Sequence, residues 1–335
     1  MHISASMKAI FYTKYGSPDV LQLKEVDKPA PKEDEVLVKV FASSVNEWDW
    51  GLIRGEGLLT RLLGGLFKPK NKILGADVAG VIEAVGRNIK NFKPGDEVFG
   101  DIAGAGFGAF AEYVCAPEKM LAKKSSKMSF EKAAALPQAG LLAMQGLRYK
   151  KPLQAGQHLL INGAGGGVGP IALQYAKSIG ATVTCVDKEE KFDMLRSYGA
   201  DELIDYRKTD YTKTGNQYDY ILDVTARRTV HDYKRALKPD GVFTMIGGSM
   251  GWLIFQMMLV QPLLSKFSNK KLGIMGYHVN SEGLAELSLL FEEGKIAPAI
   301  DRCFPLEDTS AAFCYYEQGN FKGKIVITIK TNSGK

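Results

Sequence analysis

The sequence predicts an α/β fold, a doubly wound parallel sheet joined to a discontinuous, β-rich domain built from the two ends of the chain. Three observations lead there. A strand–glycine–helix–strand unit lies between Leu159 and Asp187, short β-rich segments fill the chain before residue 129, and an apolar strand closes it after residue 323. At 335 residues the chain is long enough for two domains.

The central unit has a physical reason for each part. Leu159, Leu160 and Ile161 form an apolar strand. Gly163, Gly165, Gly166, Gly167 and Gly169 follow it, Pro170 to Ile179 reads as a helix, and Thr182 to Val186 forms a second strand ending on Asp187. A sharp strand-to-helix turn needs residues that tolerate positive φ and let an anion approach the backbone, and glycine supplies both. The first N–H groups of the helix have no intrahelical partner and sit at its positive end, where a pyrophosphate binds. Pro170 fits as an early helical residue, since its missing N–H costs nothing there. Ala164 occupies the first slot of an otherwise regular G-x-G-x-x-G run, so the setting rather than the pattern carries the assignment. The main chain of Gly165, Gly166, Gly167 and Val168 is expected to hold a dinucleotide. Asp187 lies near the roughly 20-residue offset at which an acid accepts the adenine ribose hydroxyls.

Composition narrows the function classes. Apolar residues make up 45% and charged residues 24%, ordinary values for a soluble globular chain. The net charge of +6 is spread in small clusters, Lys68, Lys70 and Lys72 among them, and no nucleic-acid motif accompanies it. Cys115, Cys185, Cys303 and Cys314 show no C-x-x-C spacing, which fits reduced thiols and a cytoplasmic protein. Met1 to Ser6 lacks the apolar core of a signal peptide. Met250 to Leu264 is apolar but too short to span a bilayer, and it contains Gln256, Gln261 and Pro262.

Along the chain, Met7 to Tyr12, Leu21 to Val26, Glu35 to Ala42, Ala76 to Val85 and Glu97 to Phe99 read as strands of a small barrel or sandwich, with Val36, Val38 and Val40 on one face. Ser129 is a helix N-cap, and helices near 129–135 and 140–149 lead to the central unit. Strands at Glu202 to Ile204, Tyr220 to Val224 and Val242 to Ile246 alternate with a helix at Arg228 to Leu237, which implies a parallel sheet. A helix at Ser281 to Glu293, a strand at Ala299 to Phe304, a helix at Glu307 to Glu317 and a strand at Gly323 to Ile329 complete the chain. The last strand is expected to return to the first domain, giving a division into 1–123 with 280–335 and 124–279, with the cofactor in the cleft between lobes.

Several separate stretches carry a family resemblance. They are Tyr15-Gly16-Ser17-Pro18-Asp19-Val20-Leu21, Ser44-Val45-Asn46-Glu47-Trp48-Asp49, Gly75-Ala76-Asp77-Val78-Ala79-Gly80-Val81, Pro94-Gly95-Asp96-Glu97-Val98, Ala133-Ala134-Ala135-Leu136-Pro137, the glycine cluster, and Gly323-Lys324-Ile325-Val326. Over almost its whole length the chain resembles the medium-chain dehydrogenase/reductase superfamily, and within it the zinc-free quinone oxidoreductase branch. The resemblance implies a Rossmann domain and a GroES-like domain. Zinc alcohol dehydrogenases of that superfamily place cysteine and histidine where this chain has Asn46 and Glu47, and Gly-His-Glu where it has Gly75-Ala76-Asp77. Their four-cysteine zinc lobe has no counterpart, and the four histidines are scattered, so no metal is expected. Without a Lewis acid to activate an alcohol, acceptors that are already electron-poor are expected: small hydrophobic quinones or α,β-unsaturated carbonyls.

By the same resemblance Asn46 lines the substrate pocket and polarises a carbonyl or quinone oxygen. Asp49 is either functional or a helix cap, and Asp77 is read as structural. Gln145 and Leu142 lie on a helix under the nicotinamide, Leu142 where the family often has threonine. Lys324 is either a base near the pyrophosphate or a surface lysine. Lys191, Tyr206 and Gly247 complete the cofactor contacts. NAD(P)H is the implied cofactor. Asp187 leans the choice to NADH by repelling a 2′-phosphate, against the pull of Lys188, Lys191, Tyr206, Arg207 and Lys208. A homodimer is implied as well.

The apolar run Trp252 to Val260 has three readings: a core or dimer-interface helix, a flap over a hydrophobic substrate, or a peripheral membrane patch. Arg54 to Lys72, with Leu58, Leu59, Leu62, Leu63, Leu66 and Phe67, is expected as its partner across the cleft. For the whole chain the competing functions are a metal-free reductase, an alcohol or aldehyde oxidoreductase, a nucleotide-binding regulatory protein without turnover, and a membrane-peripheral scaffold.

Overall fold

The computed structural model describes residues 6–248 and 269–330. The chain forms two compact units, one of Met1–Gln138, Val279–Glu293 and Ile300–Lys335, the other of Ala139–His278 and Gly294–Ala299. The apolar run at 252–260 lies outside the described residues.

In the first unit β1 (Ser6–Phe11) and β2 (Gln22–Asp27) form an antiparallel pair. The larger sheet is built on β3 (Glu35–Ser44), which pairs antiparallel with β4 (Asp77–Val85). Beyond β4 lie β5 (Glu97–Asp101) and β7 (Leu121–Lys123), and β6 (Tyr113–Pro117) joins β3 along its first half. Val36, Val38 and Val40 are fully buried, as their alternation requires, while Lys39 between them is half-buried. Helices α1 (Glu47–Arg54) and α2 (Leu58–Gly64) occupy the β3–β4 connection. The first unit runs on through α3 (Phe130–Ala134), whose Phe130 ring stacks on Phe41 of β3 at 4.6 Å. Ser129 caps this helix, its Oγ accepting the Lys132 N–H at 3.3 Å.

The second unit is a six-stranded parallel sheet. After α4 (Pro137–Arg148) come β8 (His158–Asn162), α5 (Gly169–Ile179), β9 (Thr182–Asp187), α6 (Phe192–Ser197), β10 (Glu202–Asp205), β11 (Tyr218–Asp223), α7 (Val230–Ala236), β12 (Leu237–Met245) and β13 (Lys271–Ile274). The order β10-β9-β8-β11-β12-β13 reverses direction at β8, the switch point of a Rossmann-like sheet, and the glycine cluster leaves the end of β8. Because every pairing is parallel, the segments after β8, β9, β10, β11 and β12 emerge at one carboxyl edge. β12 begins earlier than the sequence implies: Leu237 already pairs with Tyr218, and the register then shifts by way of Asp240 at φ +60°.

The chain then returns to the first unit. Between α8 (Ser281–Glu292) and β14 (Ile300–Pro305), residues 294–299 belong to the second unit, where Gln174 accepts from the N–H of Ala297 and donates to its carbonyl. After α9 (Thr309–Glu317), β15 (Lys324–Thr328) pairs antiparallel with β3, Val326 opposite Ser44 and Thr328 opposite Ala42. The β-rich, GroES-like domain is therefore discontinuous. Its core joins both ends of the chain, with Phe110 meeting Phe313 edge-on and Ile325 and Ile327 buried beside Val78 and Val98. No helix among the described residues is long and apolar enough to cross a membrane.

Candidate active site

Two groups of residues carry chemistry, one in each unit. In the parallel sheet the carboxyl edge brings together the glycine cluster, Asp187 and Lys191, Tyr206 and Gly247. The glycines differ in why they are needed. A Cβ at Gly169 would fall 2.2 Å from the Ala164 carbonyl oxygen, so close packing of helix against turn demands glycine. One at Gly165 would strike the Lys191 side chain at 2.4 Å. One at Gly166 would meet nothing nearer than the Gly163 carbonyl oxygen at 3.7 Å, so nothing in the fold requires glycine there and the space stays open at the start of α5. Open space beside the unpaired N–H groups of a helix start fits a pyrophosphate. Val168 is the N-cap of α5 and Pro170 lies in its first turn.

Asp187 is built into this loop. Its Oδ2 accepts the Gly165 N–H at 2.7 Å, its Oδ1 accepts the Lys188 N–H at 2.8 Å, and the Lys191 ammonium lies 3.6 Å away. The neighbouring cations are also paired: Arg207 with Glu190 and Asp205, and Lys208 with Glu189. The Tyr206 side chain is exposed. The Gly247 carbonyl accepts the Ala226 N–H at 3.0 Å, tying the segment after β12 to that after β11. Gln145 on α4 makes both its side-chain hydrogen bonds to the main chain of His278, at 2.7 and 3.3 Å, and Leu142, one turn earlier, is half-buried. Beneath the glycine turn, burial raises the carboxyl of Asp223 to about 6, against hydrogen bonds from Asn162 at 2.8 Å and the Thr225 N–H at 3.0 Å that favour its charged form.

In the first unit the ends of β3, β4 and β15 bring Asn46, Asp77 and Lys324 together, all almost fully buried. Lys324 donates to Asn46 Oδ1 at 2.5 Å, to Asp77 Oδ2 at 3.2 Å and to the Val45 carbonyl at 3.3 Å. Asn46 Nδ2 donates to Asp77 Oδ2 at 3.0 Å and, at a longer 3.4 Å, to the Ser44 carbonyl. Ser44 Oγ adds a 2.6 Å bond to Asp77 Oδ2, and the Gln138 N–H reaches Asp77 Oδ1 at 2.9 Å. Asp77 is thus the hub of a satisfied network.

Asp49 lies beside it. Its Oδ2 accepts the Asn46 N–H at 3.2 Å, the box that starts α1, and its Oδ1 accepts the Gly75 N–H at 2.9 Å. Burial lifts this carboxyl to about 7, partly opposed by the Gly75 bond and reinforced by the charge of Asp77.

The positions that resemble zinc-ligand positions do not suit zinc. Lys324 places an ammonium between Asn46 and Asp77, Ala76 has no donor, and Glu47 accepts a hydrogen bond from the Tyr316 hydroxyl. No group of three His, Cys, Asp or Glu residues converges among the described residues.

Comparison with known proteins agrees with this architecture. Residues 32–126 match the family model described as alcohol dehydrogenase GroES-like domain, and residues 198–327 match zinc-binding dehydrogenase. A 2-methylene-furan-3-one reductase from Solanum lycopersicum is 34% identical over 97% of this chain and 80% of its own. The chain belongs to the medium-chain dehydrogenase/reductase superfamily. Within that superfamily it is a quinone oxidoreductase-like reductase. An NADPH-dependent alkenal/one oxidoreductase of Arabidopsis thaliana is 32% identical over the same shares. The solved quinone oxidoreductase from Coxiella burnetii matches with a TM-score of 0.85 and 29% identity, covering 97% of this chain and all of that one. NAD(P)H-dependent reduction of quinones or enones is the activity of this medium-chain reductase branch.

Sequence reading missed three members of the buried cluster: Ser44, Gln138 and Asp101, which accepts from Gln138 Nε2 at 3.3 Å. Ser44 carried a signal, as a polar residue ending an apolar strand two positions before Asn46. Gln138 and Asp101 carried none, because their partners are distant in sequence.

Proposed function

We propose that this medium-chain reductase reduces small hydrophobic quinones or α,β-unsaturated carbonyl compounds without a metal, with NADH as the preferred donor. The observation that carries the reading is the Lys324–Asn46–Asp77 cluster, a buried cation where the zinc enzymes keep their metal ligands. Such a cluster suits an acceptor that needs charge stabilised on its oxygen, not one that must first be deprotonated.

A reduced nicotinamide bound here would supply the hydride for the β-carbon of an enone, so that negative charge develops on the carbonyl oxygen. The chain's residues then have distinct tasks. The main chain of Gly165, Gly166, Gly167 and Val168 would hold the pyrophosphate, and Asp187 would orient the adenine ribose with Lys191 and Tyr206 at its rim, while Gly247, after β12, lies on the other side of β8 as a further cofactor contact. Lys324 draws electron density from Asn46 Oδ1 and makes its Nδ2–H groups stronger donors. The long bond from Nδ2 to the Ser44 carbonyl is the one a substrate oxygen replaces. Asp77 fixes the amide's orientation, Asp49 and Gln145 are positioning residues, and a proton from solvent completes the saturated product.

The preference for NADH rests on charge. Asp187 stands where the ribose hydroxyls are read, and Lys191, Arg207 and Lys208 are each already paired with carboxylates. A 2′-phosphate adds about two negative charges to a rim whose cations Lys191, Arg207 and Lys208, among the described residues, already face carboxylates. The NADPH named for the Arabidopsis relative makes the kcat/KM ratio for the two cofactors the direct check. A homodimer and a reducing, cytoplasmic setting belong to the same reading; the second is supported by the scattered spacing of Cys115, Cys185, Cys303 and Cys314. A panel of quinones, enones and aldehydes assayed with both reduced cofactors, with and without a chelator, tests the proposal. Quinones or enones should oxidise the cofactor equally in both conditions. Tight cofactor binding with no turnover, or turnover abolished by the chelator, would contradict it.

A further inference from the structure

The segment from Arg61 to Lys72 presents an unusual surface. Leu62, Leu63, Leu66 and Phe67 are 63, 57, 45 and 88% exposed. A phenylalanine so nearly bare gains nothing from folding. This exposure is built in. Arg61 donates from Nε to the Gly55 carbonyl at 2.8 Å and lies over the Tyr15 ring, Tyr15 bonds the Gly65 carbonyl, and the Lys70 N–H reaches the Gly64 carbonyl at 2.7 Å. Pro69 is buried. The carbonyls of Gly55, Gly64 and Gly65 are thus tied down by Arg61, Lys70 and Tyr15, while four large apolar side chains are turned out.

Charge decides what suits this face. The exposed Lys68, Lys70 and Lys72 flank it, and no Asp or Glu occurs from Arg61 to Lys72. A second protein surface of mixed charge has no need of this one-sided set. Apolar side chains beside a row of lysines match an anionic lipid bilayer, where the rings and leucines enter the headgroup–acyl boundary and the ammonium groups meet the phosphates.

We propose that Leu62 to Lys72 is a peripheral docking surface for anionic membranes. This inference does not depend on which acceptor the enzyme reduces. The test is co-sedimentation of the full chain with vesicles of phosphatidylcholine alone or with about one-third phosphatidylserine, at low and high salt. The chain should bind the anionic vesicles and not the neutral ones, and high salt should release it. L63S/F67S and K68E/K70E should each lower binding at least about tenfold while leaving turnover of a water-soluble acceptor unchanged.

Four results would overturn the proposal. They are failure to bind anionic vesicles; equal binding by the variants, which would put membrane contact elsewhere; conversion of a dimer to monomers by L63S/F67S without vesicles, which would make the face a contact between copies; and a raised KM for the soluble acceptor, which would make it a substrate wall.

Discussion

The ammonium of Lys324 stands 3.2 Å from the carboxylate of Asp77, across 247 positions of sequence. This pair brings the starts of β4 and β15 to one point, and Asn46 is held between them. A buried pair of this kind is costly to break from one side, since the remaining charge has no solvent.

Lys324→Met should therefore destabilise the chain by about 3–5 kcal/mol, and adding Asp77→Asn should recover a large part of that loss. Urea denaturation of the two single variants and the double variant measures the coupling. Additive losses would mean that the two groups do not depend on each other.

Asp49 makes stability depend on pH. Its folded carboxyl is raised to about 7, above the roughly 3.9 of an unfolded aspartate, so the folded chain binds this proton more tightly. Stability contributed by that proton is fully present below about pH 4 and is lost progressively as pH rises to and through 7. Asp223, raised to about 6, adds to the lower part of the same window. Between about pH 6 and 7.5 Asp49→Asn should flatten the stability curve that continues to fall in the wild type. An unchanged slope would show that Asp49 is already charged there.

Gly166 and Gly169 are glycine for different reasons, and substitution separates them. Gly166→Ala should leave the melting temperature within about 2 °C of the wild type and weaken dinucleotide binding at least about tenfold, because only a ligand uses that space. Gly169→Ala should lower stability itself, through the contact at 2.2 Å with Ala164. Thermal melts and cofactor titration by fluorescence distinguish them. Equal cofactor affinity for Gly166→Ala and wild type would remove the pyrophosphate from this turn.

Asp187→Ser should move the ratio of kcat/KM for NADPH over NADH upward by about tenfold, the scale of one lost repulsive charge. The ratio is the useful readout, because losing the bond to Gly165 weakens both cofactors together. A ratio that does not move would take cofactor choice away from Asp187.

How much of this was visible in the chain follows from how local each feature is. The β8–α5–β9 unit was legible because strand, glycines, Pro170 and Asp187 are consecutive. The return of β15 was legible from its apolar pattern and the family motif around Lys324. The short helices α1 and α2 were not, although Asn46 and Asp49 at capping-box spacing are a sequence-level sign of a helix start. β6, β7 and β13 are too short to stand out, and exist because β3, β5 and β12 offer edges for them. Lys324 beside Asn46 and Asp77 could not be read at all, since which strands are neighbours decides that contact.

The central claim is hydride delivery to an activated acceptor without a metal. Its most direct test is turnover of an enone by enzyme dialysed against a chelator, using NADH carrying deuterium at both C4 positions, with the product examined by mass spectrometry and NMR. The expected product is a saturated carbonyl compound with deuterium at the β-carbon, formed at the undialysed rate. Deuterium at the carbonyl carbon of an allylic alcohol, or turnover that returns only when zinc is added back, would contradict it.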